Sequence, residues 1–342
     1  MMRPFIVLLS ISFAVRAMSL EIGSTEIAKW KDNKQSVFLI AFDDNCPSHL
    51  AYAIPTLVKY GFPGTFYINP SRPNFQAKRA VWLNEIPRLP GIVYGNHTYS
   101  HCGATNALQL DEELATWHAT MTSCYANREK PFLLSFGKPG GVPWNVTESE
   151  KEALLTKYDL IERPPFLGGG MAIKTIEQMN AHVDKGMAKG EMNHLDFHGV
   201  GGDWLKVDMD FFTALMEKLA AHRDRIWVTD HISYHQYLTE RKTARVTIQT
   251  ATPSIITLAL STSADPRRYG YPLTLQTRVP AHWTHCTITQ GTNTTTVAVT
   301  RQLVQYAAVP NRAIIQLTPQ HLKTKNLIPM KESGEIGRSG GI

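Results

Sequence analysis

Apolar positions along the first 230 residues alternate between short continuous runs and stretches at helical spacing. Ser36-Val37-Phe38-Leu39-Ile40 is a run of the kind that forms a central strand covered on both faces. Between Pro47 and Lys59, Leu50, Ala53, Ile54, Leu57 and Val58 share one helical face, and Gly61 ends the helix. Further strands are predicted at Gly64-Thr65-Phe66-Tyr67-Ile68, Ile92-Val93-Tyr94, Phe132-Leu133-Leu134-Ser135, Leu160-Ile161, His194 to His198 and Arg225 to Val228. Helices are predicted between them: Trp82 to Arg88, Asp111 to Ala126 with its acidic first turn, Thr147 to Tyr158, Lys174 to Gly186, and Asp208 to His222. Strand and helix in alternation predict an α/β fold, a distorted and incompletely closed (β/α) barrel. Its chemistry collects at the C-terminal ends of the strands.

The pattern changes near Arg241. Residues 245–317 are rich in Thr and Val and carry seven short candidate strands, at 246–248, 255–260, 273–278, 283–289, 295–299, 303–307 and 313–317. Their spacing predicts a C-terminal all-β sandwich, which could hold carbohydrate or cover one side of the barrel. The expected organisation is an export signal over 1–17, a catalytic barrel over 18–240, a β-sandwich accessory domain over 241–320 and a disordered tail over 321–342. The signal is read from Arg3, the apolar stretch Phe5 to Val15 and the small Ala17. That stretch is too short for a comfortable bilayer span, so a secreted or periplasmic location is expected.

Length and charge narrow the partners. A chain of 342 residues with a net charge of +6 has its Lys and Arg scattered, with no run that reads as a nucleic-acid arm. Four cysteines fit an oxidising compartment without making a disulfide scaffold, and a bridge among Cys46, Cys102 and Cys124 is expected, with Cys286 free. No Cys-x-x-Cys pair points to a structural zinc or a redox site.

The candidate chemistry begins at Asp43-Asp44, directly after the first strand. Neighbouring side chains at a strand end diverge, so one carboxylate can hold a metal while the other takes a proton. An Asp pair capping a helix is the plainer reading. After the third strand, His97 and His101 stand four apart, a spacing that puts both imidazoles on one side of a helical turn. Joined to Asp44 they make a two-nitrogen, one-oxygen set with positions left for water, the donor set of an open, catalytic zinc or similar divalent ion. Trp144 and Trp204 lie in Gly/Pro-rich loops where an indole could stack on a sugar. Gly168-Gly169-Gly170 lacks the Lys-Ser/Thr of a phosphate loop. Asn145 and Asn293 stand in glycan acceptor patterns, as does Asn96, beside the proposed ligands.

These motifs together resemble the polysaccharide deacetylases, carbohydrate esterase family 4. Ala41-Phe42-Asp43-Asp44-Asn45 is similar to the family's Thr-Phe-Asp-Asp-Gly, His97 to His101 to its His-Ser/Thr-x-x-His, and Leu195-Asp196-Phe197-His198 to its Leu-x-x-His. The likeness runs from about Val37 to Leu238. It implies a metal held by Asp44, His97 and His101, zinc first with cobalt, nickel or manganese as alternatives. It further implies Asp43 as general base, His198 as acid toward the leaving amine or alcohol, and a backbone N–H at the oxyanion. The family's Arg-x-Pro-Tyr or Arg-Pro-Pro-Tyr is sought after the fourth strand, at Ser135 to Gly141. There Gly137 replaces the base-orienting arginine and Gly140 takes the Tyr place as oxyanion donor. No clear match to the Asp-x-x-x-Trp motif is found. The implied activity is hydrolysis of acetyl groups on a carbohydrate, most readily N-acetyl groups of an amino sugar polymer or oligomer such as chitin or peptidoglycan. Two alternatives stand beside it: a carbohydrate-binding protein that keeps the metal but has lost catalysis with the arginine, and a hydrolase of small cyclic amides. The expected partner is an acetylated carbohydrate, with no nucleic acid and no membrane span.

Overall fold

The computed structural model of the protein describes residues 21–125 and 132–320; the expected export signal and tail lie outside the described residues. In chain order the first half carries β1 (Thr25–Ile27), β2 (Ser36–Asp43), α1 (Ile54–Tyr60), β3 (Gly64–Ile68), α2 (Pro73–Ala77), β4 (Ile92–Asn96), α3 (Ala107–Met121) and β5 (Leu134–Phe136). Then follow α4 (Glu148–Lys157), β6 (Leu160–Glu162), α5 (Ile176–Lys189), β7 (Met192–Phe197), α6 (Met209–Ala221), β8 (Ile226–Thr229) and α7 (His231–Thr243). The rest is all strand: β9 (Arg245–Ala251), β10 (Ile256–Ser261), β11 (Leu273–Arg278), β12 (His285–Gln290), β13 (Asn293–Ala298), β14 (Leu303–Ala308) and β15 (Ile315–Pro319).

Seven parallel strands form one curled sheet in the order β6-β5-β4-β3-β2-β7, with β8 also on β2. β2 is buried along its whole length, as its apolar run predicts. Its first residues pair with β8 (Ser36 with Ile226, Leu39 with Thr229) and its last with β3 (Ala41 with Thr65, Asp43 with Tyr67). One strand thus serves two neighbours on one side, and the sheet curls into a half-barrel. β6 and β7 are its two edges, and a single bridge between Gly168 and Asp196 joins the loop after β6 to β7. Phe42 sits at the centre, stacked on Phe66 at 4.5 Å and tilted against Phe197 at 5.6 Å.

The C-terminal strands make two antiparallel sheets, β13-β12-β15-β10-β9 and β1-β11-β14. Leu258, Leu275, Ile288, Val304 and Leu317 from both sheets share one buried core, the packing of a sandwich. β1 comes from the N-terminal side of the half-barrel, yet it pairs with β11, Thr25 opposite Thr277. Trp30, Val37, Leu39, Trp227, Tyr237 and Leu273 form a further core where the two parts meet.

Several expected elements are moved. The helix of 47–59 is a π-helical turn at His49–Ala53 followed by α1. α3 starts at Ala107, because the Asn106 side chain accepts from Gln109 N–H and caps the helix ahead of the acidic residues. α4 and α5 begin at capping boxes on Thr147 and Thr175, as the sequence spacing allows. All four cysteines are free, so the expected bridge among Cys46, Cys102 and Cys124 is not made. No helix among the described residues is long and apolar enough to cross a membrane.

Candidate functional site

The site lies at the C-terminal ends of β2, β4 and β7, with β5 and the segment after β6 beside it. Asp43 is the last residue of β2 and Asp44 follows it with a left-handed backbone, φ 71°; Asn45 is left-handed too, φ 41°. Here Asn stands where the family has Gly, and Asn tolerates that region better than other residues with side chains. The turn directs the two carboxylates apart. Asp44 Oδ1 accepts from Asn69 Nδ2 at 2.8 Å, and Asn69 N–H donates to Asn45 Oδ1 at 2.9 Å, so the loop after β3 fixes the turn.

His97 follows β4 and is buried. Its Nδ1 donates to Gly137 O at 2.6 Å, which sets the tautomer and leaves the Nε2 lone pair facing Asp44 Oδ1 at 3.5 Å. Burial depresses the His97 pKa against the pull of the nearby Asp43 carboxylate, so the ring stays neutral as a ligand must. His101 Nε2 is 3.3 Å from Asp44 Oδ1, and the two imidazoles are 4.9 Å apart. The segment between them is not the helical turn expected from the spacing. Thr98 and His101 both have φ of 59°, Thr98 N–H donates to Asn96 Oδ1, and His101 N–H donates to Thr98 Oγ1. Local side-chain bonds of this kind compete with helix formation. Donor atoms of Asp44, His97 and His101 all lie within 4.8 Å of one another, so the residues present fit a divalent cation. The Asn96 side chain is fully buried, so in the folded protein its amide nitrogen has no room for a glycan.

Asp43 is held from the side the sequence reading did not consider. Arg163 Nη1 and Nη2 donate to its two oxygens at 2.6 and 2.7 Å, a bidentate fork on a buried carboxylate. Burial alone would raise the Asp43 carboxyl, but the positive charge of Arg163, with His97 and His198 beyond, holds it well below the usual carboxylate range. Arg163 also reaches Asp196 Oδ1 at 3.5 Å, and its guanidinium lies 4.2 Å from the Tyr67 ring centroid. Burial pushes Asp196 up to about 7 despite that guanidinium. The expectation that no arginine orients the base is therefore corrected: it comes from the end of β6. The overlooked signal is Arg163-Pro164-Pro165-Phe166, one residue type from the family's Arg-Pro-Pro-Tyr, one strand later than the stretch searched. Gly137 does a different job. A Cβ there would stand 2.8 Å from Tyr67 Cδ1 and 3.0 Å from Arg163 Nε, so its bareness lets the arginine pass. Gly140 lies exposed in the loop after β5 and loses the Tyr place, which Phe166 takes.

His198 follows β7, with Nε2 3.7 Å from Asp44 Oδ2. Its ring sits between Phe166 at 5.2 Å and Trp204 at 4.5 Å, and its carbonyl accepts from His49 Nε2 at 2.6 Å. Trp204 is 54% exposed beside it, open to a ligand. Trp144 is half-buried, with Lys138 Nζ 4.7 Å above its ring, so a sugar cannot stack on that face without displacing the ammonium.

Comparison with known proteins agrees with the residues. The family model described as polysaccharide deacetylase matches residues 30–140. A gellan lyase from Bacillus sp is 22% identical over 346 residues, covering 90% of this chain; the chain spans 14% of that protein's length. Among solved structures, a family 4 carbohydrate esterase from Streptomyces lividans aligns at 13% identity and TM-score 0.37, over 57% of this chain and 92% of that one. The catalytic domain of a peptidoglycan N-acetylglucosamine deacetylase from Eubacterium rectale aligns at 16% identity and TM-score 0.38, again over 57% and 92%. The matched segment contains the Asp43-Asp44 pair and both site histidines, and over it the chain is similar to the polysaccharide deacetylases.

Proposed function

We propose that this chain is an exported hydrolase, dependent on a divalent metal, that removes acetyl groups from a carbohydrate, with the N-acetyl group of an amino sugar polymer or oligomer as first substrate. The observation that carries this is a carboxylate fixed by a bidentate arginine beside an open three-donor set. Two imidazoles and one carboxylate suit zinc, with cobalt, nickel and manganese as the alternatives. A bound divalent cation supplies Lewis acidity that acidifies a water and polarises the acyl carbonyl.

The chain's own groups then divide the work. Asp43 Oδ2 lies 3.8 Å from His97 Nε2, close enough to the donor set to take the proton of the attacking water. Held ionised by Arg163, Asp43 is a weak base, which ties its use to a strongly acidified water. His198, on the other side of Asp44, hands a proton to the leaving amine or alcohol. The Phe166 N–H, in the Tyr place of Arg-Pro-Pro-Tyr, donates to the acyl oxygen as charge builds there. Trp204 offers an aromatic face to the sugar ring. The reading as a binding protein that has lost its base-orienting arginine loses its premise with Arg163 in place.

The test is metal analysis together with acetate release over chitin, peptidoglycan and xylan fragments. His97→Ala is expected to lose both ion and turnover. Asp43→Asn should keep the ion and lose at least about 100-fold in kcat. Metal retained in full by the first variant, or turnover retained by the second, refutes the roles given.

A further inference from the structure

A groove of about 490 Å³ opens beside the base, lined by Lys138, Glu162, Arg163, Pro164, Pro165 and Phe166. Most of its charges are already matched. Arg163 is committed to Asp43 and Asp196. Glu162 accepts from Lys151 Nζ, at 2.9 Å on one oxygen and 2.7 Å on the other. Glu148, which feels the Lys138 charge only weakly, is bound to the same Lys151 at 2.7 Å. Lys138 makes no ion pair among the described residues. Its ammonium is parked over the Trp144 indole, at 4.7 Å from the centroid, so the charge is positioned rather than free to wander. Across His198 from Phe166 stands the exposed Trp204 indole, and further along its loop Lys206 and Asp208 pair with each other at 3.5 Å.

We propose that this groove takes an acid-substituted sugar, a uronate or a unit carrying a comparable carboxylate, next to the acetylated residue, with the anion on Lys138. The inference rests on the carbohydrate deacetylase reading and names its substrate class. Lys138 is exposed at the groove, so its preference for an anionic over a neutral unit is a solvent-screened attraction that falls with salt. The exposed indole of Trp204, on the far side of His198 from Phe166, then receives the neighbouring sugar, which sets the direction in which the polymer lies.

Two N-acetylated amino-sugar oligomers of equal length test this, one with a uronate beside the acetylated unit and one with a neutral sugar there, with binding of the deacetylated acidic oligomer measured separately by calorimetry. The ratio of kcat/KM, acidic over neutral, is expected to be roughly fivefold or more at low salt and to collapse at 0.5 M salt, where the Debye length is only a few ångströms. In Lys138→Gln the ratio falls to about one through KM, and calorimetric affinity falls by a similar factor. Lys138→Arg keeps the ratio within about twofold. Acetate released from both substrates with equal KM overturns this inference and leaves the hydrolase reading standing. Lys138-dependent binding without acetate release from either substrate overturns the hydrolase reading alone, and neither binding nor release overturns both.

Discussion

Arg163 decides whether the Asp43 carboxylate is held in one orientation or left loose. Its fork bonds both oxygens of Asp43, and lysine cannot supply two parallel donors in one plane. Arg163→Lys is expected to lower kcat by roughly 10- to 100-fold while metal content stays full and KM changes little. Turnover within twofold of wild type would remove the arginine from the mechanism. The candidate donors Asp44, His97 and His101, which the structure brings within 4.8 Å of one another, were legible in the sequence because each lies in a short motif directly after a readable strand. Arg163 was equally legible as Arg-Pro-Pro-Phe, but strand order is not written in the sequence. Arg163 follows β6, at the edge of the sheet three strands removed from β2, and only the curl brings its guanidinium onto Asp43.

At the scale of elements, the site depends on how helices and strands brace two irregular loops. The His97–His101 loop carries two residues of positive φ that its own side-chain bonds only partly hold. α3 supplies the rest: the Glu113 carboxylate accepts from Ser100 N–H at 2.7 Å and from Ser100 Oγ at 2.6 Å. Glu113→Ala should leave the fold intact and weaken metal binding by about tenfold, read by competition with a chromophoric chelator. Unchanged affinity would show that the loop holds its geometry alone. Beneath the base, Tyr67 is fixed by its bond to Ser135 Oγ at 2.6 Å, which in turn meets His231 Nδ1 at 2.7 Å. The Arg163 guanidinium lies on that ring. Strands and helices with a full apolar pattern were readable, including β2, β3, α6 and all seven strands of 245–317, to within a few residues at their ends. The helical turn read into His97–His101 failed because Asn96 and Thr98 bond the backbone locally, and spacing carries no trace of that.

Over the whole molecule, the sandwich and the half-barrel share more than a linker. β1 is three residues long and its partner lies some 250 residues later, so neither length nor alternation could reveal it; the pairing exists because the sandwich sheet needs an edge partner. α7 was missed for a related reason: its buried residues are His231, Tyr237 and Glu240, a face too polar to read as a core helix. Glu240 makes the junction sensitive to pH. It is buried where α7 meets the sandwich, accepts from backbone N–H groups of Gly270 and Tyr271, and has Oε2 without a partner beside a 90 Å³ cavity. Burial outweighs those two bonds and pushes its carboxyl from an ordinary 4.5 up to about 7. A carboxyl raised in the folded state binds its proton more tightly there than in the unfolded chain. The stability it contributes is therefore complete below about pH 4.5 and is lost as pH rises through 7. Glu240→Gln stays neutral throughout, so relative to wild type it should gain on the order of 2 kcal/mol between pH 4.5 and pH 8. Urea unfolding at those two values measures the difference, and an equal effect of the substitution at both would mean that Glu240 titrates in the folded protein as it does in water.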